Sequence, residues 1–478
     1  MSLAVVILAA GQGTRMKSSL PKMLHQAAGR PLLGHVIERA KQLEPSQIVV
    51  ITGHGAEAIE AHFVAEPVVF ARQTEQLGTA HAFLCAKDAL VGHSGDVFVL
   101  YGDTPLMTLE TLQSALEAHR NAKAGMTVIT GILKDATGYG RIVRNDRGEV
   151  LRIVEQKAAT EREKAITEWN SGMYIFDSSA FTLAAQISND NNAKEYYLTD
   201  ILELYRQNNK AVLAQIADSS ELEGSNDRVQ LAAADKTLRD RLRIQHMKNG
   251  VTMRDPNTIY IDDTVIIGKD VILEQGVILN GQTSIASGSQ IGAYSVITDC
   301  QLEGAVHVKP HSVLEGAVLR GGSDVGPFAR IRSGTILEAD VHVGNFVEIK
   351  NSHLLEGAKA GHLAYIGDSS VGREVNFSAG AITANYDGLD KFRTEIQDGA
   401  FIGTNVTLVA PVTIHQGAFI AAGSTITTDI PEGALGVTRA NQKTLEGWAV
   451  KYWTGKLETA KTDKLPIIRK WLERRKLS

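Results

Sequence analysis

At 478 residues, 44% hydrophobic and 22% charged, the chain has the composition of a folded protein and is too long for one hydrophobic core. A formal net charge of −5 provides no basic field for nucleic acid, and two cysteines without a CxxC neighbour, Cys85 and Cys300, offer neither a disulfide scaffold nor a cysteine zinc site. The longest apolar run near the start, Leu3 to Ala10, is far short of the roughly 20 residues a bilayer requires, and no charged segment precedes a cleavage site; a cytoplasmic protein with no membrane partner is expected.

In chain order, Ala4 to Ala10, Gln47 to Thr52 and Asp96 to Tyr101 read as buried strands, with Leu32 to Leu43 and Thr79 to Leu90 as helices between them. Such alternation predicts a mainly parallel α/β domain over residues 1–226, with ligands at the carboxyl ends of its strands. From Asn226 to about Lys248, Leu231, Ala234, Leu238 and Leu242 fall on one helical side. This stretch, 227–247, suits a linker helix and equally a helix packed on the first domain.

After residue 260 the period becomes six. Aliphatic residues stand at Ile261, Ile267, Leu273, Leu279, Ile285, Ile291 and Ile297, then at Val308, Leu314, Val325, Ile331, Leu337, Val343 and Ile349, and again from Ile396 to Ile426. That period marks a parallel β-helix in a second domain, 248–478, each hexad forming one side of a prism with its aliphatic residue inside. The phase breaks at Leu355 to Ser370 and at Leu389 to Glu395, and both breaks are expected to be surface loops. From Thr438 the repeat stops, leaving a tail from about 439. The last ten residues carry five basic side chains and Trp471, which suits a solvated terminal helix or a phosphate-binding tail.

Two stretches carry chemistry. Leu8-Ala-Ala-Gly11-Gln-Gly13-Thr-Arg15-Met follows the first strand, and its glycines permit a nest of backbone N–H groups around an anion. Arg15 and Lys22 add fixed positive charge. The dinucleotide fingerprint fails because Met16 stands where its third glycine belongs, and the ATPase P-loop is absent because no Gly-Lys is followed by Ser or Thr. Alone, the loop also suits a plain strand-to-helix turn, as Asp103 alone suits a turn former. In the second half, Arg332 and Lys350 each take the second position of a hexad and lie 18 residues apart, one circuit of a three-sided helix. Two cations should therefore stack on one face and repel, a strain that an anionic ligand such as a phosphate relieves. Two solvated surface cations are the plainer alternative. His362, beside the first break, is one of 14 histidines.

The first stretch, with Leu20-Pro-Lys22, resembles the signature of sugar-phosphate nucleotidyltransferases; Gln73-Thr-Glu-Gln-Leu-Gly78-Thr79 is similar to that family's uracil-reading segment and Tyr101-Gly-Asp103 to its metal-binding turn. The resemblance implies UTP or UDP-sugar binding by Leu8, Ala9, Ala10, Gly11, Arg15, Lys22, Gln73, Gly78, Thr79, Tyr101, Gly102, Asp103, Gly140, Glu155, Asn170 and Asn226. It also implies Mg²⁺ on Asp103 and Asn226. The second half resembles hexapeptide-repeat acyltransferases. From residue 3 to about 450 the whole chain is similar to the bifunctional N-acetylglucosamine-1-phosphate uridylyltransferase and glucosamine-1-phosphate N-acetyltransferase family.

That likeness implies an α/β nucleotidyltransferase (Rossmann-like) domain followed by a left-handed parallel β-helix, assembled as a homotrimer. It implies synthesis of UDP-N-acetylglucosamine, the precursor for peptidoglycan and lipopolysaccharide, from glucosamine 1-phosphate, acetyl-CoA and UTP through N-acetylglucosamine 1-phosphate. His362 takes the role of general base and Glu348 that of an orienting group. Arg332, Lys350, Tyr365, Asn376 and Lys391 match positions that hold the sugar phosphate. Ala379, Asn385, Tyr386, Thr404, Ala422 and Arg439 match the acetyl-CoA groove. A nucleotidyltransferase with a merely structural β-helix is the alternative, against which the polar set around His362 argues.

Overall fold

The computed structural model describes residues 2–191, 194–459 and 465–476. It divides into two compact units, residues 1–357 and 358–478.

The first unit opens with a twisted sheet whose strands run in the order Val212–Ile216, Met126–Ile132, Glu168–Phe176, Asp96–Tyr101, Leu3–Leu8, Gln47–Thr52, Val69–Arg72. All pairs are parallel except those of Glu168–Phe176, and a hairpin, Arg141–Arg144 with Val150–Val154, hangs from that strand. Every residue of Leu3–Leu8 is buried, because helices cover both faces. Val5 and Ile7 pack with Leu33, Ile37, Leu112 and Leu116 on one side, while Val6 and Leu8 pack with Ala80, Phe83 and Leu183 on the other. A strand covered twice reads as an unbroken apolar run, as the sequence does.

The helix Arg228–Lys248 starts where the Asp227 side chain accepts from the N–H groups of Val229 and Gln230, both at 2.9 Å. Its stripe of Leu231, Ala234, Leu238 and Leu242 packs on Ala27, Ala28, Leu32 and Leu106. From its other side Arg239 donates to Ile261 O at 3.0 Å and Arg243 to Ile259 O at 2.8 Å. The helix thus packs on the first domain with one side and bonds the first coil with the other.

Beyond it, short strands stack one circuit apart in parallel register, as in Leu273 opposite Ile291, Ile297 opposite Leu314 and Leu319 opposite Leu337. The inward residues Ile261, Leu273, Leu279, Ile291, Val308, Leu314, Ile331 and Ile349 are fully buried. Within the second unit the same stacking puts Phe377 opposite Ile402 and Ile402 opposite Ile420, Val371 opposite Ile396, and Leu408 opposite Ile426. Each unit thus contains part of a parallel β-helix.

One expected loop is not a loop. Within Leu355 to Ser370, Lys359–His362, Tyr365–Gly367 and Ser369–Val371 are strands, and Ala360 and Ile366 point inward, fully buried. The phase had only slipped, because Leu354, also buried, follows Ile349 by five residues rather than six, and alanine then stands where an aliphatic residue was sought. The second break is a true excursion. Tyr386 and Lys391 form an antiparallel bridge, and the Asp387 carboxylate accepts from the N–H groups of Leu389 and Asp390, both at 2.8 Å. After the last short strand, Leu435–Gly436, come helices Trp448–Thr459 and Pro466–Lys476. The basic stretch begins on the latter, where Arg475 lies 5.5 Å from the Trp471 ring; its final residues, Leu477 and Ser478, lie outside the described residues.

Candidate active sites

At the carboxyl ends of the central strands lies a cavity of 640 Å³. Thirteen of the sixteen residues singled out for the nucleotide line it: Leu8, Ala10, Gly11, Arg15, Lys22, Gln73, Gly78, Thr79, Tyr101, Asp103, Glu155, Asn170 and Asn226. The other three stand behind it. Ala9 is buried and donates to Ile51 O at 2.9 Å, Gly102 donates to Leu8 O at 2.9 Å, and the carbonyl of Gly140 accepts from Asn170 N at 2.9 Å. Gln76, Tyr174, Tyr197 and Thr199 also line the cavity and were not singled out. Gln76 was within a quoted motif; the other three carry no spacing that marks them.

Two glycines are required by shape. Gly13 has φ +62°, and a Cβ there would stand 2.6 Å from Lys22 Cβ. Gly78 has φ +112°, and its Cβ would meet Tyr196 O at 2.5 Å. A side chain at either would push apart the two loops that close the cavity.

Charge gathers on one side. Lys22, 8% exposed, bonds through Nζ to Asp103 Oδ2 and, at 2.8 Å, to Asn226 Oδ1. Arg15 Nη2 donates to the same Asn226 oxygen at 2.9 Å. Asn226 is fixed by its own N–H, which donates to Gln230 Oε1 at 2.8 Å. On the far wall Asn170 Nδ2 donates to the buried Tyr174 hydroxyl at 2.9 Å while its Oδ1 accepts from Gly172 N at 3.0 Å. Burial, then the neighbouring Asp200, raise the Glu155 carboxyl above its ordinary range. Among the described residues no group of three or more His, Cys, Asp or Glu could hold a metal ion. The side-chain oxygens of Asp103 and Asn226 both point at one positive centre, the Lys22 ammonium.

On the β-helix of the first unit, Ile331 pairs with Ile349, and Arg332 N donates to Ile349 O at 2.8 Å, so Arg332 and Lys350 do follow one another on adjacent coils. The expectation of two uncompensated cations is corrected: Arg332 Nη1 bonds Glu348 Oε1 at 2.8 Å, which offsets part of the charge.

In the second unit the exposed His362 ends the strand Lys359–His362, and its carbonyl accepts from Gly380 N at 3.4 Å. Tyr365 N donates to Ala381 O at 3.2 Å. Asn376 stands in register with Lys359 and donates through Nδ2 to Ser378 Oγ at 2.8 Å. Lys391 stands on the loop, bridged to Tyr386. The register that sets Phe377, Ile402 and Ile420 side by side puts Ala379, Thr404 and Ala422, each two residues later, at one corner of three successive coils. Asn405 N donates to Ala379 O at 2.9 Å and Gly423 N to Thr404 O at 2.8 Å along that corner, and Arg439 Nη1 reaches Ala422 O at 2.9 Å. Asn385 is buried and bonds the Asp368 carboxylate, itself buried and not singled out from the sequence.

Residues 4–224 match the nucleotidyl transferase family, and residues 393–428 match the family of the bacterial transferase hexapeptide (six repeats). The fold is that of an α/β nucleotidyltransferase domain followed by a left-handed parallel β-helix of hexapeptide repeats, the class of a two-domain transferase. The chain is 48% identical over 450 residues to the bifunctional protein GlmU of Pseudomonas entomophila (strain L48), covering 94% of this chain and 98% of that one. To GlmU of Enterococcus faecalis (strain ATCC 700802 / V583) it is 48% identical over 448 residues, 93% and 97% of the two chains. To that of Streptococcus thermophilus (strain CNRZ 1066) it is 46% identical over 453 residues, 94% and 98%. The chain belongs to the GlmU family of bifunctional proteins.

Proposed function

We propose that the chain makes UDP-N-acetylglucosamine in two steps at two sites, within a domain plan of 1–226 for uridylyl transfer, 227–247 as linker and 248–478 for acetyl transfer, with a tail from about 439. It is a bifunctional enzyme: acetyl passes from acetyl-CoA to glucosamine 1-phosphate, and a uridylyl group then passes from UTP to N-acetylglucosamine 1-phosphate with release of pyrophosphate.

In the acetyl site His362 takes a proton from the sugar's 2-amine, the neutral amine attacks the thioester carbonyl, and coenzyme A leaves. The sugar-phosphate role falls in the first unit to Arg332 and Lys350, with Glu348 orienting Arg332 through their ion pair, and in the second unit to Tyr365, Asn376 and Lys391. Ala379, Thr404 and Ala422 form a smooth wall for acetyl-CoA, bordered by Asn385, Tyr386 and Arg439.

In the uridylyl site the sugar 1-phosphate oxygen attacks the α-phosphorus of UTP in line with the departing pyrophosphate, with no protein nucleophile. Backbone N–H groups from Gly11 to Gly13, Arg15 and Lys22 offset the charge that gathers as two anions meet. Gln73, Gly78 and Thr79 sit against the base; Glu155, Asn170 and Asn226 sit against the sugar, with Gly140 behind them accepting from Asn170 N. Asp103 and Asn226 hold Mg²⁺, which when bound supplies Lewis-acid stabilisation to the phosphates. Two hard oxygens with the remaining positions left to phosphate and water suit that ion.

The reading also makes the protein cytoplasmic and a homotrimer, with acetyl-CoA between neighbouring subunits. No helix among the described residues is long and apolar enough to cross a membrane. The observation that carries the proposal is the convergence of Arg15, Lys22, Asp103 and Asn226, drawn from three distant segments, on one edge of the cavity. One coupled assay tests the whole: with glucosamine 1-phosphate, acetyl-CoA, UTP and Mg²⁺, UDP-N-acetylglucosamine should form, and its absence while both half-reactions also fail would overturn the reading.

A further inference from the structure

We infer that the Lys22 ammonium is a resident surrogate for the divalent ion, holding the oxygens of Asp103 and Asn226 in the free enzyme and surrendering them when the ion binds. The inference rests on the assignment of Asp103 and Asn226 as the metal site.

Three observations carry it. Lys22 Nζ contacts both proposed ligands at once, Asp103 Oδ2 and Asn226 Oδ1. A cation bonded to those two oxygens must occupy the ground that Nζ holds, so ammonium and metal exclude one another. The oxygens are also held ready: Asn226 Nδ2 donates to Gly224 O at 3.2 Å and its N–H to Gln230 Oε1 at 2.8 Å, which leaves Oδ1 aimed at the cation. Finally, Lys22 is nearly buried and the Asp103 side chain is 15% exposed, so water compensates that carboxylate poorly. A carboxylate so placed requires a positive partner at all times.

The arrangement has a consequence for catalysis. When the ion takes Asp103 and Asn226, Lys22 loses its partners while standing on the cavity wall beside Arg15. Its flexible stem lets the charge swing onto the nearest anion, the phosphates of the nucleotide. One displacement thus loads the metal and frees a phosphate-binding cation. The site never holds a bare carboxylate in the free enzyme and never loses a positive charge on loading.

The test is Mn²⁺ binding to the full chain without nucleotide, followed by calorimetry or by the electron spin resonance of free Mn²⁺. Lys22→Met should bind Mn²⁺ about tenfold more tightly than wild type, because a charge-assisted bond no longer has to be broken. Asp103→Asn should abolish binding. If Asp103→Asn binds Mn²⁺ as wild type does, the metal assignment itself fails. If Asp103→Asn abolishes binding but Lys22→Met binds no more tightly than wild type, the assignment stands and the surrogate role is overturned. Should Lys22→Met not fold by circular dichroism, the wild-type chain decides: Mg²⁺ should raise the rate at which an acylating reagent labels Lys22, read by peptide mass spectrometry, severalfold. A rate unchanged by Mg²⁺ overturns the inference.

Discussion

The two regions that carry chemistry place their side chains by different rules. In the α/β domain, Arg15 and Asn226 are 211 positions apart yet share a hydrogen bond, and only the winding of the sheet brings them together. On the coils, residues meet because they are one circuit apart: Arg330 faces Glu348, Asn376 faces Phe401, Phe401 faces Phe419. A sheet cavity pools residues from everywhere, so its membership follows from topology. A solenoid is nearly one-dimensional, so its columns follow from arithmetic on the numbering.

The sharpest way to separate the two regions is to disable one chemistry at a time. His362→Ala should lower acetyl transfer by about 10²–10⁴-fold and leave uridylyl transfer nearly intact, measured as coenzyme A release and pyrophosphate release on the same preparation. Parallel loss of both would mean that the fold, not the base, was damaged. Asp103→Ala should do the reverse and lower uridylyl transfer by about 10²–10³-fold, the scale of losing one preorganised electrostatic contact. A variant that still made UDP-sugar at ordinary Mg²⁺ would remove Asp103 from the metal site.

Stability divides along the same line. Ile349→Ala empties a fully buried inward position shared by stacked coils and should cost about 2–5 kcal/mol, read from chemical unfolding. A neutral result would mean that the coils do not depend on one another. The smallest effect belongs to Glu155. Its folded-state pKa is raised by burial first and by Asp200 second, so between the unfolded value near 4.5 and the folded one the native state binds more protons than the unfolded state. Stability from this group therefore falls as pH rises through that window, and Glu155→Gln should flatten the fall and make the protein slightly more stable at neutral pH. A steeper pH dependence in the variant would reverse the sign of that account.

Legibility followed the same division. The hexads announced the coils because one inward aliphatic residue per side is a physical demand that repeats, and the 18-residue step alone sets Arg332 beside Lys350. The reading failed at Leu355 to Ser370, where a five-residue side shifted the phase and Ala360 met the demand for a small inward residue without looking aliphatic. It also missed that Glu348 neutralises Arg332, since a diagonal contact 16 residues away follows from side-chain reach rather than from period. In the α/β domain the strands were legible as apolar runs, but the cavity was legible only through motifs. Tyr174, Tyr197 and Thr199 line it with no motif to mark them, because a residue four positions along a bulged strand, or in a late segment, reaches the cavity through tertiary packing alone. The clasp of Lys22 on Asp103 and Asn226 was likewise invisible, as nothing in the spacing of positions 22, 103 and 226 sets them together.

The most direct test of two self-sufficient sites is to mix the two single variants. His362→Ala and Asp103→Ala, each slowed alone by about a hundredfold or more in making UDP-N-acetylglucosamine from glucosamine 1-phosphate, acetyl-CoA, UTP and Mg²⁺, should together restore its synthesis as the acetylated sugar phosphate passes through solution from one variant to the other. A mixture as inactive as its parts would contradict the account.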